Sequence, residues 1–337
     1  KRSVMVLDKG FWPAGATSRN AGFACFGSAG ELLDDMQQGE AETDVRQRLE
    51  MRIAGLRLLR RELGEAAIGY QACGGYELFD DASDPHYRQS VAELPRFNAW
   101  VKAATGRAQS YETCTINGFP AIRNRLEGSI HSGKMLQELA RKARQAGVEL
   151  RWNTIVKMMK KHAVVLENGH ELQAGQVLSA TNGFTRALLP DSQVQSARGM
   201  AFVTEPLRQL PWRGTFHYNR GYVYFRDVAD NAHPQRRRLL IGGARDVDKA
   251  GENSMEFGIN TAIQRWLTDF TSTKLQIDAN WKIATQWSGI MGFGPTKTPE
   301  CRQWPNGVYS AAGLGGMGIA LGIQLAEEAI SLLAASS

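Results

Sequence analysis

The chain has 337 residues, 43% hydrophobic and 22% charged, the balance of a globular protein long enough for one large domain or two interleaved ones. Its net charge of +6 includes one dense basic run, Arg236-Arg237-Arg238, which lacks the interleaved aromatics of a nucleic-acid surface and reads as a solvated turn. No apolar run approaches the roughly 18 residues of a membrane span, and the start lacks the apolar core of a signal peptide, so a cytoplasmic protein is expected.

Residues 3–8, SVMVLD, are an apolar run with β-branched valines and a terminal acid, the pattern of a buried parallel strand. Residues 41–64 read as a long helix, with Ile53, Leu56, Leu59 and Leu63 at helical spacing and Gly64 as its stop. GGYELFD (74–80) reads as a strand, and residues 85–106 as a helix that Pro95 breaks or kinks. Residues 132–147 carry a strong helix signal. Ser132 caps it, Met135, Leu136, Leu139 and Ala143 make one apolar face, and Gly147 ends it. VELRWNTIV then reads as a strand, and residues 163–174 as a hairpin turning at Asn168-Gly169, a pair suited to a type I′ turn. GQVLSATNG is a buried strand ending in a small polar turn. Residues 198–245 look like an antiparallel sheet of their own, residues 254–271 like a helix, and WKIATQWSGIM like a strand entering a special turn. GVYSAAG is a last strand, and a glycine turn feeds a terminal helix. The order α/β, β-rich, α/β predicts a nucleotide-binding domain wrapped around a substrate domain.

The four cysteines, Cys25, Cys73, Cys114 and Cys301, form no C-x-x-C pair and have no histidine cluster beside them, so reduced thiols and no metal site are expected. Four other segments carry chemistry. VMVLDKG ends a strand in Asp8, followed by Lys9; an acid at that place accepts hydrogen bonds from an adenosine ribose. GATSRNAGF (15–23) is small and polar, so its backbone can approach a flat ligand closely and its amides, with Thr17 and Ser18, can meet phosphate oxygens. SATNG (179–183) ends a strand where a short helix starts. AAGLGGMGIALG (311–322) feeds a helix whose N-terminus carries partial positive charge. Each has an ordinary reading alone: a core strand, a ligand-free loop, or a helix-packing segment.

Taken in this order, the segments resemble the D-amino-acid-oxidase-like family of FAD-dependent oxidoreductases, which includes glycine oxidase, sarcosine oxidase and γ-glutamylputrescine oxidase. IHSGKMLQELARKARQAGVEL, RGMAFVTEP, LLIGGARD and WSGIMGFGPTKTP extend the likeness over nearly the whole chain. The resemblance implies an α/β fold with an α+β substrate part. A Rossmann-like FAD-binding domain (1–72, 128–195, 280–337) is interleaved with an antiparallel-sheet substrate domain (73–127, 196–279). The glycine fingerprint of such domains precedes the acid by about 20 residues, whereas this sequence starts seven residues before Asp8. The FAD domain is therefore expected to lack its first βα unit here. By match, Asp8 and Lys9 stand at the ribose. Ala16, Thr17, Ser18, Arg19, Asn20, Ala21 and Gly22 line the cofactor, and Val156 contacts adenine through its backbone. Thr181, Asn182 and Gly183 lie near the phosphates, Gly289 lies near the flavin, and Gly315, Gly316, Met317 and Gly318 face its pyrimidine edge.

The implied chemistry is hydride transfer from a C–H beside an amine nitrogen to flavin N5, giving an imine. That needs orientation and a neutral amine more than a strong base. Alternation on GYVYFRDV puts Tyr222, Tyr224 and Arg226 on one face, either to clamp a substrate carboxylate or to meet solvent. Met291 in WSGIM stands where glycine and D-amino-acid oxidases place a carboxylate-binding arginine, which favours an amine, a larger N-substituted amino acid, or a carboxylate held elsewhere, with Arg226 a candidate to hold it. Cys301 lies outside the sequence context of a flavin tether, so FAD is expected to be non-covalent. The alternatives are an enzyme acting on a tRNA-borne aminomethyl group and a non-catalytic flavin- or nucleotide-binding scaffold. The electron acceptor is not specified by any residue pattern.

Overall fold

The computed structural model describes residues 3–335. Strand β1 (Met5–Leu7) leads through the turn α1 (Ala16–Arg19) and strand β2 (Phe23–Ala24) to helices α2 (Ala29–Gln37) and α3 (Glu42–Leu63). The first of these helices was not anticipated from the sequence; Ser28 caps it by accepting the Glu31 N–H. Gly64, at φ +80°, ends α3 as expected. Then come β3 (Gly75–Leu78), α4 (Pro85–Thr105), β4 (Tyr111–Ile116), β5 (Phe119–Asn124) and β6 (Gly128–Ser129). Helix α4 runs through Pro95 without a break. Its buried Leu94, Phe97, Trp100 and Val101 pack into an apolar core with Leu49, Leu56 and Ile122, and this packing outweighs the roughly 3 kcal/mol of an interior proline.

Helix α5 (Ser132–Gln145) is capped by the His131 side chain rather than by Ser132, whose hydroxyl bonds to Asn20 instead. It is followed by β7 (Glu149–Arg151), β8 (Val156–Lys160), β9 (Ala163–Leu166), β10 (Glu171–Gln173), β11 (Leu178–Ser179) and α6 (Thr185–Leu188). The single strand expected over VELRWNTIV is thus two. The β9–β10 connection has only Gly169 at positive φ (+83°), with Gly169 N–H donating to the Leu166 carbonyl. It is a type I turn closed by a glycine bulge, not the expected type I′ turn.

Strands β12 (Gln195–Thr204), β13 (Thr215–Tyr218), β14 (Val223–Ala229) and β15 (Arg237–Gly243) precede α7 (Thr261–Thr273), β16 (Ile283–Phe293), β17 (Glu300–Gln303), β18 (Tyr309–Ala312) and α8 (Gly318–Ala335). The sheet expected to stand alone over 198–245 is part of a larger one, ordered β16-β12-β15-β14-β13-β3-β5-β4. Strand β16, placed by sequence in the FAD part, is its edge and runs straight through Met291 with no special turn. Phe202, Phe216, Phe225 and Leu239 of this sheet pack against α7 in a fully closed core.

The other layer is built from small parallel pairs, β1 with β7 and β11 with β18. The burial expected of β1 is not found, since Val4, Met5 and Val6 are 49%, 41% and 44% exposed. Helix α8 is long and apolar enough to cross a membrane by length and composition, although Gln324, Glu327 and Glu328 interrupt its apolar residues. Here it packs on α3, where Gly55 lies so close to the Ala320 carbonyl that a β-carbon would collide with it.

Candidate functional site

One cleft of about 2950 Å³ separates the two layers, several times the roughly 300–1,000 Å³ of an ordinary small-ligand pocket. Its wall starts where β1 ends. Asp8 Oδ1 accepts the Gly10 N–H at 2.7 Å, turning the chain, and the Lys9 ammonium sits 3.8 Å over the Phe184 ring.

The small polar loop follows. Arg19 donates from Nε to the Ala14 carbonyl (2.6 Å) and from Nη1 to the Ser288 carbonyl (2.9 Å), while its own carbonyl accepts the Trp287 indole N–H (2.8 Å). The loop is thereby tied to β16 from both sides. Asn20 donates to the Ala16 and Thr17 carbonyls and accepts from Gly22 N–H and the Ser132 hydroxyl. Its amide therefore shapes the loop, and its neighbours face the cleft. Gly22 has φ +75°, and a β-carbon there would run into the Ile130 carbonyl and the Arg226 guanidinium, so only glycine fits.

Across the cleft Asn182, itself at φ +45°, accepts through Oδ1 from the amides of Gly313 (3.0 Å) and Leu314 (3.2 Å). That staples the last glycine loop to the end of β11. Gly315 N–H donates to the Gly292 carbonyl at 2.8 Å. The amides of Gly316, Gly318 and Ile319 have no hydrogen-bond partner among the described residues, and they open the N-terminus of the 18-residue α8 toward the cleft. Free amides at a positive helix end suit an anionic or electron-rich ring edge.

Asp8, Lys9, Ala16, Thr17, Arg19, Asn20, Ala21, Gly22, Val156, Thr181, Asn182, Gly289, Gly315, Gly316, Met317 and Gly318 all line this cleft, as do Tyr222, Tyr224 and Met291. Three expected residues do not. The Ser18 hydroxyl donates back to the Gly15 carbonyl. Gly183 is a packing residue, its Cα so near the Met291 backbone that a β-carbon would lie 2.6 Å from that carbonyl oxygen. Arg226 shares the face of Tyr222 and Tyr224 but lies beneath the loop, donating to the Ala21 (2.6 Å) and Ile130 (3.2 Å) carbonyls. It holds the loop up instead of clamping a carboxylate.

Residues not singled out in the sequence complete the site. His217 on β13 is the register partner of Tyr224 on β14, and both rings meet Phe23 edge-on, at 5.1 and 5.8 Å. Burial holds the His217 imidazole below its usual range, against an opposing pull from Glu31, so it is neutral. Burial pushes the Tyr224 phenol up to about 12. The strand carrying His217 escaped notice, yet its alternation opposite GYVYF was the signal. From α2, Glu31 and Asp34 also line the cleft. Burial raises the Glu31 carboxyl, but Arg52 and Lys297 outweigh it and bring it down to about 2. Asp34 is engaged by His86 (3.1 Å) and Arg220 (3.2 Å). Arg245 and Lys249 reach the cleft from the turn after β15. Cys25 is the cysteine at the cleft wall, and burial lifts its thiol well above the usual range.

An extended glycine-walled cleft with an acid at a strand end and free amides at a helix N-terminus fits a flavin dinucleotide. Comparison with known proteins agrees. Among solved structures, glycine oxidase from Geobacillus kaustophilus superposes with a TM-score of 0.75 at 18% identity, covering 98% of this chain and 88% of that one. L-proline dehydrogenase from P. horikoshii gives 0.73 at 15% identity, covering 100% and 88%. A curated relative, the probable oxidoreductase OrdL of Rhizobium meliloti (strain 1021), is 30% identical over 210 residues, 59% of this chain and 46% of that relative. The chain thus spans about half the length of the curated relative it matches. The model of the DAO family, described as FAD dependent oxidoreductase, matches residues 1–332. The chain belongs to that family of FAD-dependent oxidoreductases.

Proposed function

We propose that this protein oxidises the C–N bond of an amine or amino acid to an imine, which water then hydrolyses. The observation that carries the reading is the juxtaposition, in one cleft, of the free amides before α8 with the neutral His217–Tyr224 pair. FAD, when bound, accepts the hydride at its N5.

The chain's own residues do the rest. An ammonium nitrogen has no lone pair to assist C–H cleavage, so the amine has to arrive neutral. His217, held neutral by burial and without a hydrogen-bond partner among the described residues, can take the ammonium proton at a ring nitrogen. Tyr224, un-ionised, can hydrogen-bond the nitrogen or the water that attacks the imine. Trp287, Met291 and Phe257 line the cleft as apolar surfaces that exclude water and align the C–H bond. The amides of Gly316 and Gly318, at the helix N-terminus, would favour negative charge on a flavin bound against them. Cys301 lies on β17 opposite Ala311 and outside the cleft lining, consistent with non-covalent FAD.

The basic run gives no support to a tRNA substrate. Arg237 and Arg238 of the basic run are engaged by Asp227 and Asp230 and are not free for phosphates. The test is product analysis with the FAD-loaded full-length protein and a panel of amines and amino acids. A carbonyl product, trapped as its hydrazone, is expected from at least one of them. Loaded protein that forms no carbonyl product from any of them contradicts the proposal and returns weight to a non-catalytic scaffold.

A further inference from the structure

A row of residues crosses the eight-stranded sheet on its cleft side. Register pairs Glu77 on β3 with His217 on β13, His217 with Tyr224 on β14, and Tyr224 with Gly242 on β15. Gly242 pairs in turn with Ala201 on β12, and Ala201 with Trp287 on β16. Partners in adjacent strands share a face and stand about 4.8 Å apart. Tyr76, Leu78 and Phe216 alternate to the other face, in the apolar core. His217, Tyr224, Ala201 and Trp287 line the cleft. Glu77 lies at the α2 end of the row, 2% exposed, and its register partner beyond is the apolar Ile122 on β5.

A carboxyl group is a costly occupant of a buried strand position. Glu77 Oε2 accepts the Gly30 N–H at 2.8 Å, but its Oε1 has no hydrogen-bond partner among the described residues. Gly30 makes the space: a β-carbon there would lie 2.2 Å from Oε1 and 2.6 Å from His86 Cε1. Ser28, Glu31 and Asp34 of α2, His86 of α4 and Tyr111 of β4 also face Glu77. The ionisable ones are committed. Glu31 is held by Arg52 and Lys297, Asp34 by His86 and Arg220, and the Tyr111 hydroxyl donates to the Gly27 carbonyl at 2.7 Å. His217 is the neighbouring base with no hydrogen-bond partner among the described residues. Burial raises the Glu77 carboxyl to about 7 and lowers the His217 imidazole. Above about pH 7 the pair is therefore a carboxylate beside a neutral ring.

We propose that Glu77 is a positioning residue for His217, its carboxylate holding the imidazolium that forms when the ring takes the substrate's ammonium proton. The step moves one proton, from the substrate nitrogen to a His217 ring nitrogen, and leaves the nitrogen its lone pair. An imidazolium alone in a buried pocket is costly, and an acid one strand away offsets that cost. This rests on the amine-oxidising reading and adds to it a residue from outside the cleft lining.

The test follows His217 by NMR in FAD-loaded full-length protein with labelled histidine, the signal identified by its loss in His217→Asn. In the wild type the ring is expected to titrate in two steps, because it is coupled to the carboxyl; a single step contradicts the proposal. Glu77→Gln keeps an oxygen for the Gly30 N–H. In that variant the ring's midpoint is expected to fall by about one pH unit or more. Glu77→Asp is expected to restore part of the shift, which a purely structural role would not. For an amine that reduces the protein, kcat/KM is expected to rise through about pH 7 in the wild type. Glu77→Gln is expected to lose that limb and about 10-fold of the plateau. An unmoved His217 midpoint, or a shift confined to His86, overturns the inference. Should no amine reduce the wild-type protein, the reading of the function fails, and the His217 titration still decides whether Glu77 governs its charge.

Discussion

In the eight-stranded sheet Phe216, Phe225 and Leu239 are 0% exposed, whereas across the cleft Val4, Met5 and Val6 leave 49%, 41% and 44% of their surface to solvent. Both sets are apolar and lie in or beside strands. The difference lies in where each strand finds its cover. Antiparallel strands such as β13, β14 and β15 are neighbours in sequence, pair directly and share α7 as a lid. The parallel strand β1 pairs only with β7, more than 140 residues on, among the described residues, and parallel strands need cover on both faces from distant elements. Leu139 of α5 and Leu178 of β11 line the same open side. An apolar pattern says what a face requires and does not say what meets it.

Three experiments break or sharpen that contrast. In the closed sheet, Phe225→Ala removes a ring in contact with Trp212, Phe216 and Phe270. It is expected to cost about 3–5 kcal/mol by denaturant unfolding; a cost below about 1 kcal/mol contradicts the closed core.

At the seam between layers, Glu127 accepts the Phe26 and Gly27 amides, and Glu77 accepts the Gly30 amide. Burial raises the Glu127 carboxyl to about 8 and the Glu77 carboxyl to about 7, against an ordinary value of 4.5. Above that ordinary value the unfolded chain releases these protons while the folded one keeps them. Stability therefore falls as pH rises toward 7 to 8, by up to about 1.4 kcal/mol per pH unit for each group. The melting temperature is expected to be lower at pH 8 than at pH 5, with a shallower slope in Glu127→Gln, whose amide oxygen still accepts both N–H groups. A melting temperature that rises over that range contradicts the assignment. On the open side, Val6→Ala is expected to cost less than about 1 kcal/mol, because little surface leaves solvent there; a cost like that of Phe225→Ala would show cover that the described residues lack.

Much of the site was legible because it depends on backbone. Gly22, Gly313 and Gly315 have positive φ, and Gly183 has no room for a β-carbon, so glycine is a requirement readable in one dimension. Asp8 and Asn182, both at strand ends, were legible for the same local reason. Side chains whose role depends on distant partners were not. Alternation put Arg226 on the right face, but the loop that covers it comes from Ala21, 205 residues away. His217 became visible only once β13 was paired with β14. Pro95 signalled a break that does not occur, because propensity is local while the burial of Phe97 and Trp100 is not.

The most direct test of the central claim is the visible absorption spectrum of the FAD-loaded full-length protein, recorded anaerobically before and after stoichiometric addition of amines and amino acids. Bleaching of the oxidised flavin band by at least one of them is expected, with retention of the band when the same compounds meet free FAD. A band that persists with every amine and amino acid would contradict C–N oxidation as the work of this cleft.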